Sequence, residues 1–160
     1  MSKPFNLQPL LDLMQSRSDE KTRHLGQLIA AEQSARSRLH LLEQYRQEYA
    51  QRLQDAAAQG LTPMSLRNFQ EFIQRIDTAI AQQRQMVTTS EHNTAVGQNE
   101  WREQNQRLKA IDTLSQRHDQ RERYREHRLD QKQQDEFASR RRPRAAQDEG
   151  RASRGWTGGT

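Results

Sequence analysis

Cysteine is absent from this 160-residue sequence, which excludes disulfides, thiolate zinc sites and cysteine nucleophiles. Proline is scarce, and the stretch between Pro63 and Pro143 has no other proline and a single glycine, Gly97. A very long helix can therefore run through the second half of the chain. Hydrophobic residues make up only 31% of the chain, which is too little for the core of a globular domain.

Long apolar runs are also missing. No window approaches the roughly 18 apolar residues that span a bilayer, and the N-terminus has no apolar signal core, so we expect a soluble, cytoplasmic protein. The abundant residues are Gln, Arg, Glu, Ala and Leu, which favour helix. This composition differs from the Pro-, Gly- and Ser-rich composition of many disordered chains, and it predicts an all-α protein.

The net charge of +5 is concentrated at the C-terminus. Residues 137–160 hold six Arg against Asp148 and Glu149, whereas the other 136 residues carry 20 basic and 19 acidic side chains. We expect residues 139–160 to form a basic, disordered tail. The body of the chain is electrically balanced.

A seven-residue repeat in alternating steps of four and three runs through residues 7–56 and indicates a coiled-coil seam. Eleven of its fifteen positions are apolar: Leu7, Leu11, Met14, Leu25, Leu28, Ala35, Leu39, Leu42, Tyr49, Leu53 and Ala56. The four polar positions are Ser18, Lys21, Glu32 and Arg46. Asn6 is the expected helix cap, with Phe5 and Leu10 placed as a hydrophobic staple around it.

The first repeat is interrupted where Gly60 suits a left-handed helix end and Thr62-Pro63 suits a helix start. A second repeat then occupies Phe69, Ile73, Ile76, Ile80, Gln83, Val87, Ser90, Thr94, Gly97, Trp101, Gln104, Leu108, Ile111 and Ser115. Its two ends are apolar and its middle is polar. Two helices joined by a short connection are expected to pack antiparallel.

The two repeats match if partner positions have residue numbers that sum to 122. Leu53 then faces Phe69, and the polar positions Glu32 and Ser18 face the polar positions Ser90 and Gln104. The prediction is a long two-helix antiparallel coiled-coil hairpin over residues 1–138, with a weak, mobile polar waist. Its expected parts are helix one at about 6–58, a turn at 59–64, and helix two at about 65–138, which overhangs helix one beyond Ser115.

Catalytic chemistry is not expected, because a two-helix hairpin has no concavity that excludes water. The five histidines lack metal-binding spacing, so His24, His40, His92, His118 and His127 are predicted to be exposed helix residues. Glycine-rich phosphate loops are absent as well. The sequence therefore predicts no enzyme, no cofactor, no metal site and no small-molecule substrate.

Charged residues of both signs alternate in the overhang. Arg117, Arg121, Arg123, Arg125 and Arg128 are interleaved with Asp119, Glu122, Glu126 and Asp130. Such alternation usually indicates a solvated face, which argues against an arginine-rich nucleic-acid-binding helix. The apolar face of residues 116–136 is also too weak for a membrane-surface helix.

Aromatic residues beside the seam are the more informative feature. Tyr45 and Tyr49 are four residues apart, so they lie on one side of helix one, with Tyr45 just outside the seam. Across the turn, Phe72 and Ala79 are also off the main repeat. These residues either widen the seam near the turn or form a patch for a protein partner.

Several segments resemble one family. They are Leu42-Glu43-Gln44-Tyr45-Arg46-Gln47-Glu48-Tyr49, Phe69-Gln70-Glu71-Phe72-Ile73, Ala79-Ile80, Trp101-Arg102-Glu103, Arg128-Leu129-Asp130-Gln131-Lys132 and Asp135-Glu136-Phe137-Ala138. Their order and spacing over about residues 5–138 resemble the FliJ family of bacterial flagellar type III export proteins. The resemblance implies a fold similar to the coiled-coil stalk subunit of rotary ATPases.

The resemblance also implies partners. One end of the hairpin would engage the hexameric flagellar export ATPase (FliI-like) and promote assembly of its ring. The half near the turn would face the cytoplasmic domain of the export gate membrane protein (FlhA-like). The family is further associated with substrate-specific export chaperones, so the implied location is the cytoplasm, peripheral to the membrane.

The resemblance places two sets of partner-binding residues on this sequence. The implied gate-facing set is Leu42, Tyr45, Tyr49, Phe72, Ile76 and Ala79, with Arg38 and Gln83 at its edges. The implied ATPase-facing set is Leu129, Asp130, Gln131 and Lys132. The repeat and the resemblance disagree on Tyr49 and Ile76. The repeat places both residues in the seam, whereas the resemblance implies that both are exposed. A generic coiled-coil dimerisation adaptor and an arginine-rich RNA-binding helix remain the alternatives.

Overall fold

A computed structural model describes residues 3–141, and its two regular elements are both α-helices. Helix α1 spans Gln8–Gln59 and helix α2 spans Pro63–Arg140. The chain divides into two compact units. The hairpin unit is Pro9–Asp112, and the terminal unit joins the described residues up to Gln8 with those from Thr113 onward.

Both helices start and end close to the breaks that the sequence contains. Helix α1 begins two residues later than residue 6, after a turn in which the Gln8 amide donates to the Phe5 carbonyl (3.1 Å). It ends at Gly60, whose φ of 96° is the left-handed conformation that favours glycine. The Thr62 hydroxyl accepts a hydrogen bond from the Ser65 amide (3.2 Å), so Thr62 caps helix α2.

Helix α2 extends through Arg140, so residues 139 and 140 are helical rather than part of a disordered tail. Residues 142–160, which carry the rest of the expected tail, lie outside the described residues.

Within the hairpin unit the two helices pack antiparallel along the predicted seam. The Thr94 hydroxyl donates to the Leu28 carbonyl (3.4 Å), and these residue numbers sum to 122. In the other contacts between the helices the two residue numbers sum to within five of 122. One example is Trp101 Nε1 to Thr22 Oγ1 at 2.9 Å. The predicted register is therefore confirmed.

Burial follows the two repeats closely. On helix α2, every predicted seam position from Phe69 to Ser115 is buried or half-buried. On helix α1, all predicted positions except Leu7 and Arg46 are at least half-buried. Arg46 turns outward and forms an ion pair with Asp77 at the edge of the seam, which raises the pKa of Arg46, chiefly through the hydrogen bond. The Arg46 guanidinium, although at a predicted seam position, thus stays hydrated and is paired with the Asp77 carboxylate.

The polar middle of the seam is hydrogen-bonded between the helices. Gln83 Nε2 donates to the Ala35 carbonyl at 3.0 Å, and both residues are buried. Gln104 Nε2 lies 3.3 Å from the Met14 sulfur. Gly97 is also buried, because a Leu28 methyl occupies the space where a Cβ would stand. Polar and small residues therefore form specific contacts here.

Ion pairs between the helices border this seam. Lys21 pairs with Glu100 at 3.0 Å, and Arg36 pairs with Glu91 at 2.8 Å. These side chains are roughly half-exposed, so each pair contributes at most about 1 kcal/mol to stability. Their main effect is to disfavour other registers, since a shift would bring like charges together.

Candidate partner-binding surfaces

Four aromatic rings form a cluster on one side of the hairpin near the turn. Tyr49 lies at its centre, with ring centroids 4.4 Å from Phe72, 5.5 Å from Phe69 and 6.1 Å from Tyr45. Tyr45 also meets Phe72 edge-on at 6.2 Å. Such offset and edge-on pairs hold the rings in fixed positions. The exposed member is Tyr45, which keeps 43% of its surface accessible.

The cluster combines both interpretations that the sequence left open. Tyr49 and Phe69 occupy seam positions and the half-buried Phe72 widens the seam beside them, while Tyr45 presents a ring to solvent on top of them. Leu41, four residues before Tyr45 on the same helix side, is 63% exposed and enlarges the apolar surface. Leu41 was missed by the sequence analysis, although its position outside the repeat is a readable signal.

The implied gate-facing residues do not form one exposed surface. Tyr45 and Arg38 are exposed, and the half-buried members are Leu42, Tyr49, Phe72 and Ala79. Ile76 and Gln83 are buried, with 5% and 8% of their surface accessible, because both occupy seam positions against helix α1. Ile76 and Gln83 therefore offer little surface to a partner of the folded hairpin. The conflict at Tyr49 and Ile76 is decided in favour of the seam.

The implied ATPase-facing residues lie in the terminal unit. Leu129, Asp130, Gln131 and Lys132 are all exposed, as is every described residue from Arg123 onward. Three large apolar side chains in this stretch are more than half exposed: Tyr124, Leu129 and Phe137. Arg128 lies over the Tyr124 ring at 5.8 Å, and Arg141 lies over the Phe137 ring at 5.6 Å. Local cation–π contacts therefore shield part of two of these rings.

The terminal unit contains a feature that the sequence analysis missed. Residues 3–7, here called the N-terminal strap, pack on helix α2 at the next two steps of its repeat, His118 and Glu122. The seam thus continues past Ser115, where the apolar signal ends. His118 follows Ser115 by three residues and Glu122 follows His118 by four, so the spacing of the repeat identifies both. Because both side chains are polar, they did not stand out as seam positions.

Glu122 anchors the strap. One of its carboxylate oxygens accepts a hydrogen bond from the Lys3 backbone amide (3.2 Å), and the other is 2.9 Å from Arg125. The Lys3 amide lowers the pKa of Glu122, and the charges of Arg125 and His118 lower it further, against the opposing effect of burial. Glu122 is only 9% exposed, so its charge is largely hidden from solvent.

His118 is the one histidine that does not match its predicted exposure. It is half-buried, with the Phe5 ring 5.4 Å away and the Asp119 carboxylate 3.5 Å from its Nδ1 atom. His24, His40, His92 and His127 are exposed as predicted. Within residues 3–141 there is no group of three or more His, Asp or Glu side chains arranged to hold a metal ion.

Neither helix has a stretch, within residues 3–141, that is apolar and long enough to cross a membrane. Each unit carries one surface with exposed apolar side chains, Tyr45 and Leu41 in the hairpin unit and Tyr124, Leu129 and Phe137 in the terminal unit. Both surfaces carry aromatic and aliphatic anchors beside charged residues, which is the composition typical of interfaces between proteins.

Known proteins are similar to this sequence over most of its length. The model of the family described as "Flagellar FliJ protein" matches residues 2–147. The flagellar FliJ protein of Escherichia coli (strain K12) is 37% identical over 134 residues, covering 84% of this chain and 91% of the relative. The flagellar FliJ protein of Salmonella typhi is 35% identical over 134 residues, with the same coverage.

Proposed function

This chain belongs to the FliJ family of flagellar proteins, and we propose that it is a coiled-coil coupling factor of the flagellar type III protein export apparatus. In this role it binds the export ATPase ring through its terminal unit and the membrane export gate through its hairpin unit. It also escorts substrate-specific export chaperones. Its location is then cytoplasmic, at the inner face of the membrane through the export apparatus.

The observation that carries the gate-binding proposal is the aromatic cluster around Tyr45. Exposing a tyrosine ring next to Leu41 is of no benefit to a free hairpin, whereas aromatic anchors on rigid elements are frequent hot spots of binding. The underlying rings of Tyr49 and Phe72 hold Tyr45 in place, so a partner meets a preformed surface.

The gate proposal is tested by Tyr45→Ala, alone and together with Phe72→Ala. We expect the single change to weaken binding to the cytoplasmic domain of the export gate protein by about 30-fold or more, because hot-spot truncations cost at least about 2 kcal/mol. Motility should fall with it, while far-ultraviolet circular dichroism stays unchanged. Phe72 is half-buried, so its change also removes packing, and the single Tyr45 variant is the cleaner probe.

A matched control is the Leu13→Ala/Ile29→Ala variant, which removes two exposed apolar side chains of helix α1 far from the turn. Gate binding and swimming should be preserved in this control. Wild-type swimming by the Tyr45 variant would contradict the gate proposal.

The proposal competes with a generic dimerisation adaptor. An adaptor would be a stable dimer by light scattering and would bind neither the export ATPase nor the gate. A coupling factor binds both partners through separate surfaces, so variants at Tyr45 and at Leu129 should each lose one partner and keep the other. An RNA-binding helix would instead shift RNA electrophoretically in a salt-dependent manner.

A further inference from the structure

The charges of the terminal unit separate onto different sides of helix α2. Four cations, Arg121, Arg125, Arg128 and Lys132, recur in steps of four, three and four. At about 100° per residue these steps place them within an arc of roughly 60° that extends for about 16 Å along the helix. We call this set the basic stripe. All four side chains are exposed.

The acidic residues of the same segment lie elsewhere on the helix. Asp119, Glu126 and Asp130 fall within an arc of about 40°, centred about 150° away from the centre of the basic stripe. The alternation of sign along the sequence therefore does not produce a face of mixed sign.

The carboxylate nearest to the middle of the stripe is withdrawn from it. Glu122 is 9% exposed and is held between the Lys3 amide and Arg125, so the strap covers its charge. Among the described residues, Arg121, Arg128 and Lys132 have no carboxylate within ion-pair distance. Asp135 borders the stripe at its C-terminal end, and this limits the cationic surface to residues 121–132.

Exposed apolar side chains border the stripe on both sides. Tyr124 and Leu129 keep 63% and 59% of their surface accessible, and helical geometry places one on each flank of the four cations. Together with the stripe they line one shallow, open depression. The surface is thus cationic along its middle and apolar along its edges.

The combination of central cations and apolar edges favours an acidic protein surface over a nucleic-acid backbone as the partner. Arginines pair with carboxylates through two parallel hydrogen bonds, and apolar edges gain from contact with apolar side chains that flank those carboxylates. A nucleic-acid backbone would leave Leu129 without a partner, and the acidic opposite face would repel it. An amphipathic helix with acidic residues in steps of four and three matches both the charge and the edges.

We propose that the basic stripe is the recognition element of the terminal unit and that it binds an acidic, amphipathic helix of the partner on that side, the export ATPase. This inference rests on the proposed function, which assigns the ATPase to the terminal unit. It shifts the principal binding residues from Asp130 and Gln131 to Arg121, Arg125 and Arg128, with Lys132 shared by both sets.

The test is charge reversal in the full-length chain, with the hexameric export ATPase of the same organism as the probe. The variants are Arg121→Glu, Arg128→Glu and their combination. Arg123→Glu is the matched control, because it makes the same charge change on the same helix about 160° away from Arg121 and about 140° away from Arg128. Helicity should be retained, since Arg128→Glu places a glutamate four residues before Lys132.

We expect the Arg121→Glu/Arg128→Glu variant to bind the ATPase at least about 10-fold more weakly than wild type, and Arg123→Glu to remain within about 2-fold of wild type. Wild-type affinity should decline as salt rises. Tyr124→Ala and Leu129→Ala should each weaken binding less than the double reversal does.

The possible failures are distinguishable. If the wild-type chain itself does not bind the ATPase, the proposed function is at fault. If wild type binds and the double reversal binds equally well, the basic stripe proposal is overturned. It is also overturned if the double reversal keeps ATPase binding but loses retention on single-stranded RNA or on vesicles of anionic phospholipid, because the stripe then recognises phosphate.

Discussion

At the residue scale, Gly97 shows how closely the helices approach in the polar part of the seam. A Cβ at this position would lie 2.5 Å from a Leu28 methyl, so a larger residue requires Leu28 to move. Alanine would also gain about 1 kcal/mol of helix propensity over glycine. The two effects oppose each other in the wild-type background.

We therefore expect coupling between the two positions. Gly97→Ala should stabilise the chain by about 1 kcal/mol in a Leu28→Ala background, and by distinctly less when Leu28 is present. Urea unfolding of the four members of the double-mutant cycle measures this difference. Equal effects in both backgrounds would mean that Leu28 does not fill the space above Gly97.

Gln83 is a second seam residue with a testable assignment. It is buried and donates to the Ala35 carbonyl, so we expect Gln83→Leu to raise the free energy of unfolding by about 1 kcal/mol through apolar burial. Gate binding should not change, because position 83 does not reach the surface. Thermal unfolding and a gate pull-down check the two parts, and a loss of binding without a loss of stability would return Gln83 to the docking surface.

Glu122 confers a pH dependence on the strap. Its pKa is lowered in the folded chain, so its contribution to stability is present above the ordinary carboxyl pKa of about 4.3 and is lost as the pH falls through the folded value. Lys3→Pro removes the donating amide and should move the pKa of Glu122 up, towards its ordinary value. Carbon-13 titration of the Glu122 carboxyl by NMR, compared between the wild-type chain and Lys3→Pro, measures the shift.

At the element scale, the connection between the helices depends on one backbone conformation. Gly60 has a φ of 96°, which costs other residues about 1–2 kcal/mol. Gly60→Ala should therefore destabilise the chain by that amount. Gly26→Ala, in open space in the middle of helix α1, should instead stabilise it by about 1 kcal/mol through helix propensity. Chemical denaturation of the two variants should show opposite signs.

The buried face of helix α2 could be predicted from its sequence only as far as Ser115. From Phe69 to Ser115 the repeat has enough apolar residues to be read directly, and its burial agrees with the prediction at every position. At His118 and Glu122 the same spacing continues with polar residues. Those two are covered because the strap supplies a ring and an amide, and strap contacts carry no periodic signal of their own.

At the scale of the whole molecule, the fold and register could be predicted because the hairpin depends on local rules. A break at Gly60, a cap at Thr62 and two matching repeats are all visible in the sequence. The binding surfaces were harder to predict, since a shift of one residue moves a side chain around the helix by about 100°. This explains why Ile76 and Gln83 were placed at the surface by resemblance and lie in the seam.

The charges of the terminal unit illustrate a second limit of prediction from the sequence. The signs alternate along the sequence, while the helix separates Arg121 and Arg128 from Asp119 and Glu126. The strap then hides Glu122, which could not be foreseen from residues 113–141 alone because Lys3 is 119 residues away.

That separation along the chain also has a consequence for folding. Contacts of the aromatic cluster close loops of 20 residues (Tyr49 to Phe69) to 27 residues (Tyr45 to Phe72), whereas the strap contact closes one of 119 residues, which has a larger entropic cost. The hairpin should therefore nucleate at the aromatic cluster and close towards the chain ends, with the strap joining last. In stopped-flow experiments, Gly60→Ala should slow refolding, while Lys3→Pro should leave the refolding rate unchanged and accelerate unfolding.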